Sequence, residues 1–284
     1  MRTVPHSRPC PPAVLAFAAS DPSGGAGIQA DILTLASLGC HPLSALTAVT
    51  IQDTAGVEAV LPMEGGWVAD QARTLLEDMP VAAFKLGMLG SVEGIAAIAE
   101  VLADYPGVPV VLDPVLASGR GDQFADEEMI EAIIGLLLPQ TTLLTPNSLE
   151  ARRLAQQLGV GGDDAAAANL AECARALVEA GCGHVLVTGT HENTEQVVNT
   201  LYGSHGVLRS DRWERLSGSY HGSGCTLASA IAAHLACGAE MTEAVRCGQE
   251  YTWRTLAAGF RPGMGQFIPD RLFWLRDETP ESGR

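Results

Sequence analysis

Residues 13–39 read AVLAFAASDPSGGAGIQADILTLASLG. Positions 14–19 are apolar throughout, and the run stops at Ser-Asp-Pro-Ser-Gly-Gly, the pattern of a strand entering a loop. From Gly27 onward, Ile28, Leu33, Leu35 and Leu38 fall at spacings that suit a helix, with Gly39 as its C-terminal cap. A strand apolar on both sides and followed at once by a helix is the building unit of a parallel sheet covered on both faces.

The unit recurs outward from this stretch. Further strands are expected at 45–51, 84–89, 108–112, 142–144 and 184–187. Helices are expected at 67–76, 92–102, 126–138, from Asn147, and at 165–180, 224–236 and 242–258. Residues 203–216 alternate and carry turn residues, which predicts a hairpin near a sheet edge. The fold class is therefore α/β, a single domain over 13–276 with a central, mostly parallel sheet flanked by helices on both faces. No composition break or fixed-period repeat divides it. Residues 1–12 are expected to be a disordered Pro-rich leader and 277–284 a flexible tail.

Composition narrows the function. The 284 residues carry a formal charge of −16 and no basic run, which argues against a nucleic-acid partner. Local amides and a metal ion can still hold a polyphosphate. The seven cysteines are scattered with no C-x-x-C, so neither a disulfide framework nor a zinc site is expected, and the reading is cytoplasmic. The apolar run at 13–19 is too short for a signal peptide or membrane span. There is no G-x-x-x-x-G-K-[ST] loop and no protein-kinase H-R-D or D-F-G pair.

Four segments carry candidate chemistry. In HGSGCT (221–226), small residues open a helix whose free N–H groups face the loop, which makes Gly222, Ser223 and Gly224 an anion site. Cys225, in the first turn, would have its thiol shifted toward thiolate and could take a proton from an attacking hydroxyl. A Gly-rich turn with a buried cysteine is the structural alternative. Gly25-x-Gly27-x-x-Ala30, with Asp53 beyond, fits a relaxed dinucleotide fingerprint, but residues 20–24 separate it from the strand. That longer loop is better suited to closing over a small substrate. In TPNSLE (145–150), Asn147 and Glu150 could form a capping box or face magnesium and phosphate. Asp113 ends an all-apolar strand, so it must be paired or face the crevice. His41 and His184 are read as structural, while His191 and His221, in loops near the candidate site, are given no role.

Beyond these segments, SDPSGGAGIQAD (20–31), TAVTIQDT (47–54), KLGMLGS (85–91), VVLDPV (110–115), LLPQTTLLTPNSLEA (137–151) and HGSGCTLASAIAA (221–233) together resemble the hydroxymethylpyrimidine/phosphomethylpyrimidine kinases, a branch of the ribokinase-like superfamily. The resemblance runs from Val14 to about Phe267. It implies a ribokinase-like domain that uses magnesium-ATP to phosphorylate 4-amino-5-hydroxymethyl-2-methylpyrimidine and then its monophosphate, for thiamine biosynthesis. It also implies site roles. Gln52 reads the pyrimidine edge, and Asp21, Ala26, Asp31 and Met88 surround that pocket. Gly222, Ser223 and Gly224 form the anion hole, with Cys225 as base. Asp113, Asn147, Glu150 and Thr188 face nucleotide, and Asp113 and Glu150 face the metal through water. A homodimer is expected, with no membrane partner. Three positions depart from the family pattern: Ser223 replaces a threonine, Thr188 a lysine and Ala19 a glycine. Residues 119–122 and 191–196 are candidate lids. The alternatives are a pyridoxal kinase of the same superfamily, an NAD-dependent oxidoreductase, and a non-catalytic pyrimidine-binding protein.

Overall fold

The computed structural model describes residues 10–117, 123–162 and 168–276. Most of the expected leader, all of the expected tail and the candidate lid at 119–122 lie outside the described residues.

Strand β1 (Ala13–Ser20) occupies an interior position, and its two faces feed two cores. Ala13, Leu15 and Phe17 join one cluster with Val68, Ile95, Ile130, Leu154 and Leu177, whereas Val14 joins another with Leu35, Leu227, Ile231 and Val245. Burial on both sides is why this strand is a continuous apolar run rather than an alternation.

The chain continues through α1 (Gly27–Ser37), β2 (His41–Gln52), β3 (Val57–Pro62), α2 (Gly65–Asp78), β4 (Val81–Leu86), α3 (Val92–Ala103) and β5 (Val110–Leu112). Next come α4 (Glu127–Ala132), β6 (Leu143–Leu144), α5 (Ser148–Gln157), α6 (Leu170–Glu179), β7 (His184–Val187), β8 (Gln196–Gly203) and β9 (Gly206–Glu214). Helices α7 (Ser223–Ala236), α8 (Met241–Ala257) and α9 (Phe273–Arg276) complete it. The sheet order is β3-β2-β1-β4-β5-β6-β7-β8-β9. From β2 to β7 neighbouring strands are parallel; β3 at one end and β8 and β9 at the other pair antiparallel. Helices α2 to α6 supply one core and α1, α7 and α8 the other. After β1 the chain goes first to the β2 side and then returns to the β4 side. The carboxyl ends of β1 and β4 therefore flank a switch point, where loops diverge and leave a crevice.

Local signals hold in detail. Gly39 has φ +80°; the Cys40 N–H donates to Leu35 O (3.0 Å) and the Gly39 N–H to Ala36 O (3.1 Å), closing α1 as a Schellman turn. Two strands were not expected, β3 and β8. Strand β3 is an edge strand with mostly exposed or half-exposed positions, so burial imposed no apolar run on it. The expected hairpin at 203–216 is instead β8 and β9 joined at Ser204 and His205, so its first strand lies earlier in the chain. The helix expected at 126–138 widens to a π-helix over Ile133–Leu137 and a 3₁₀ turn over Leu138–Gln140, and Pro139 would break an α-helical continuation. The helix expected from 165 begins at Leu170, capped by the Asn169 side chain.

Phe84 is fully buried, its ring 6.3 Å from that of Phe17 and 6.1 Å from that of Tyr105. Phe84→Ala is expected to lower the unfolding free energy by about 3–5 kcal/mol in urea titration, the usual cost of a large core cavity.

Candidate active site

Two glycine-containing loops meet over the switch point. The loop after β1 is organised by Asp21, which has no exposed surface. Its carboxylate accepts the Ser23 N–H (2.8 Å) and the Ala26 N–H (2.6 Å) and lies 2.9 Å from His221 Nε2 on the facing loop. Burial acts to raise the Asp21 carboxyl, but the bonds from His221, Ser23 and Ala26 outweigh it and hold it below the ordinary value. Gly222, on the facing loop, has φ +79°, and a Cβ there would lie 1.9 Å from Gly25 O, so no side chain fits.

Arg271 ties the loops from behind. It is 3% exposed and donates to Gly25 O (2.6 Å), to Gly24 O and Gly222 O (3.4 Å each) and to Thr226 Oγ1 (3.1 Å). Gly222 is the N-cap of α7, whose first bond runs from the Thr226 N–H to Gly222 O (3.0 Å). The N–H groups of Ser223, Gly224 and Cys225 thus precede the helical ladder and form a cluster of donors at its positive end.

These residues line one cavity of about 680 Å³. The same wall holds Ala26, Gln52, Met88, Asp113, Asn147, Glu150 and Thr188, so most of the expected site residues converge there. Asp21 and Asp31 do not: each has no exposed surface and neither lines the cavity. Asp21 holds a loop, as above. Asp31 lies on the buried face of α1 with Ile28 and Leu35, where it accepts from Lys85 Nζ (2.9 Å) and Ser229 Oγ (2.8 Å). Both are therefore corrected from pocket residues to supporting ones.

Lys85 has no exposed surface either. Burial opposes its charge, but Asp31, Cys225 and Asp113 outweigh that and push its pKa up, so it stays cationic. Asp113, beyond β5, is 5% exposed and pushed up to about 6 by burial, with Lys85 opposing and Asp31 adding. It accepts from the Cys225 thiol and from the N–H of Val115, a β-branched residue held at the unfavourable φ of +32°. Glu150 is pushed up to about 8 by burial and by the charge of Asp113. Its oxygens accept the Asn147 N–H (2.9 Å) and the Leu116 N–H (3.2 Å), while Asn147 Oδ1 accepts from Leu149 and Glu150. The capping box forms, and it stands on the cavity wall. Thr188 is stitched to the same helix start: its N–H donates to Pro146 O (2.9 Å), and its carbonyl accepts from the Ser148 N–H (3.1 Å).

Cys225 departs from expectation. Its thiol is pushed up to about 12 by burial and by Asp113 and Asp31, against the opposing charge of Lys85 and a hydrogen bond from the Gly27 N–H. Two nearby carboxylates and desolvation outweigh the helix N-terminus, so the residue rests as a thiol bonded to Asp113.

Sequence reading also missed supporting residues. Lys85 carried a signal, as the one cation in the otherwise apolar VAAFKL of β4. Arg271 carried none, because its partners are backbone carbonyls far away in sequence. The candidate lid at 191–196 is tied down through Arg152, 2.7 Å from Glu192, and through Arg215.

Comparison with known proteins bears on this geometry. Residues 21–270 match the family model for phosphomethylpyrimidine kinase. A hydroxymethylpyrimidine/phosphomethylpyrimidine kinase of Streptomyces coelicolor is 41% identical over 266 residues, covering 93% of this chain and 95% of the relative. A thiamine biosynthesis bifunctional protein of Geobacter sulfurreducens is 39% identical over 84% of this chain, which corresponds to 48% of that protein. Among solved structures, the Bacillus subtilis pyridoxal kinase in complex with ADP superposes with a TM-score of 0.81 at 28% identity, covering 93% of this chain and 99% of that one. These likenesses set aside the dinucleotide reading of Gly25–Ala30; in the structure Arg271 grips the carbonyls of Gly24 and Gly25, and α1 begins at Gly27.

Asp113 and Glu150 both titrate higher in the folded chain than in the unfolded one, so the folded state binds extra protons. Their stabilising contribution is complete at low pH and is lost as pH rises through about 6 and then about 8. The ligand-free protein is expected to melt at progressively lower temperature from about pH 4 to about pH 8. Glu150→Gln, which can keep the capping box, should flatten that slope; an equal slope in the variant would contradict the assignment.

Proposed function

The chain belongs to the phosphomethylpyrimidine kinase family, and we propose here how its cavity carries that chemistry. The protein is a phosphotransferase of thiamine biosynthesis that uses ATP to phosphorylate 4-amino-5-hydroxymethyl-2-methylpyrimidine and then the resulting monophosphate. The observation that carries the assignment of roles is the convergence of Gln52, Asp113, Glu150 and the first-turn amides of α7 on one cavity wall.

Gln52 presents an amide to the pyrimidine. One N–H is engaged by Thr50 Oγ1 (2.7 Å), which fixes the side chain and leaves a donor and an acceptor for the ring edge. Ala26 and Met88 flank the same compartment. The N–H groups of Ser223, Gly224 and Cys225 hold the phosphoryl group in transfer, where charge spreads over three oxygens. Asn147 and Thr188 stand on the nucleotide side.

A magnesium ion suits Asp113 and Glu150. Both are hard oxygen donors on the cavity wall, and both have pKa values raised by burial in a way that a cation would relieve. When bound, magnesium neutralises charge on the phosphate oxygens. The acceptor hydroxyl proton passes to the Cys225 sulfur as the thiol proton moves to the Asp113 carboxylate that accepts its hydrogen bond. This relay replaces the resting thiolate expected from sequence.

The same reading includes a cytoplasmic homodimer. The seven cysteines are free, which suits a reducing compartment. Val49 and Leu61 pair across β2 and β3 and are 44% and 68% exposed, beside Ile51 at 61%, an apolar edge suited to a second copy.

Coupled ADP release tests the chemistry, with the pyrimidine, its monophosphate and pyridoxal compared as acceptors. Cys225→Ala is expected to cut kcat about 100-fold or more, and Cys225→Ser to retain part of it. Gln52→Ala should raise the pyrimidine KM by about tenfold with little change in kcat, since it removes binding shared by ground and transition states. Turnover of pyridoxal in preference to the pyrimidine would overturn the substrate assignment. Sedimentation should show a dimer that Leu61→Glu dissociates; a monomeric wild type would refute that part.

A further inference from the structure

The cavity wall is poor in positive charge. Among the described residues lining it are the carboxylates Asp53, Asp113, Glu150 and Glu214, and a single arginine or lysine, Arg215. A nucleotide polyphosphate entering a chain of net charge −16 must find compensation close by.

Arg215 is built for that task. Its Nη1 donates to Thr190 O (2.8 Å), its Nη2 to Glu192 O (2.9 Å) and its Nε to Thr194 O (3.1 Å). Backbone carbonyls thus fix the guanidinium plane without neutralising it, and no carboxylate of the described residues forms an ion pair with it. A guanidinium has five N–H groups, so two remain. A fork already immobilised by three bonds loses little entropy when it grips a phosphate. His191 beside it is held below its ordinary pKa by burial and by the Arg215 charge, so it does not duplicate the cation at neutral pH.

Sheet order decides which phosphate. Gln52 ends β2, on one side of the switch point; Arg215 follows β9, and Thr190 lies between β7 and β8, on the other side. Asp113 and the first turn of α7 lie between these two groups on the wall, since β5 is central and Gly224 packs against Asp113. The acceptor therefore occupies the β2 side, and the nucleotide approaches from the β7–β9 side. We propose that Arg215 is a phosphate-binding residue that grips the non-transferred phosphates of the nucleotide. This rests on the kinase assignment and adds to it the residue that discriminates nucleotide from nucleoside.

The test compares wild type, Arg215→Gln and Arg215→Lys by steady-state kinetics and by calorimetric titration with adenosine, ADP and inorganic tripolyphosphate. Arg215→Gln is expected to raise the KM for ATP by about tenfold or more and to weaken ADP and tripolyphosphate comparably, the usual worth of a charged hydrogen bond. Adenosine affinity and the pyrimidine KM should stay within about twofold, and Arg215→Lys should recover part of the loss. Unchanged ADP affinity in Arg215→Gln would overturn the proposal. So would an equal loss of adenosine and ADP, which would mean that Arg215 only straps the 190–194 segment. A wild type that binds no ADP would instead overturn the kinase assignment and the proposal with it.

Discussion

Arg271 makes the site possible. Two loops far apart in sequence must be held within contact distance, with the carbonyls of Gly24, Gly25 and Gly222 turned away from solvent. Buried carbonyls without donors cost free energy, and a buried cation without acceptors costs more. Each need is met by the other. Burial pulls the guanidinium below its ordinary pKa, and the carboxylates of Asp31 and Asp21 pull it back. With the loops fixed, Gly222 can take its left-handed conformation against Gly25, and α7 can begin with its donors on the cavity.

A second layer of charge sits beneath the first. The Lys85–Asp31 pair is fully buried between α1, β4 and α7, with Ser229 satisfying the second carboxylate oxygen. Its field reaches Asp113 and Cys225, the two groups on which proton movement depends. A buried ion pair is weak evidence for stability, since desolvation offsets much of the attraction. Here its effect lies in electrostatics: Lys85 opposes burial at Asp113 and Cys225, while Asp31 works the other way. The balance leaves Asp113 near neutrality and Cys225 as a thiol.

Much of the fold was legible because burial writes periodicity into sequence. Strands β1, β5 and β7 are apolar on both faces and were placed within a residue or two. The Gly39 and Asn147 caps are local chemistry and formed as read. Strands β3 and β8 were missed because edge and half-exposed positions carry no such pattern. In the site, short motifs sufficed for residues that face the cavity through their own loop, such as Gly222, Gly224, Asn147 and Glu150. They did not suffice for Asp21 and Asp31, which lie in a motif but point to other partners.

By itself, then, the sequence determined the layered parallel fold, the helix caps at Gly39 and Asn147, the glycine loops and the family, because each depends on neighbours along the chain or on the pattern of burial. Only the tertiary structure decided how charge is distributed in the site. The ionisation of Cys225, Asp113 and Glu150, the pairing of Lys85 with Asp31, and the grips of Arg271 and Arg215 all depend on which groups meet across long sequence separations. Electrostatic energy falls with distance in space and with access to water, and neither quantity is written in the order of the residues.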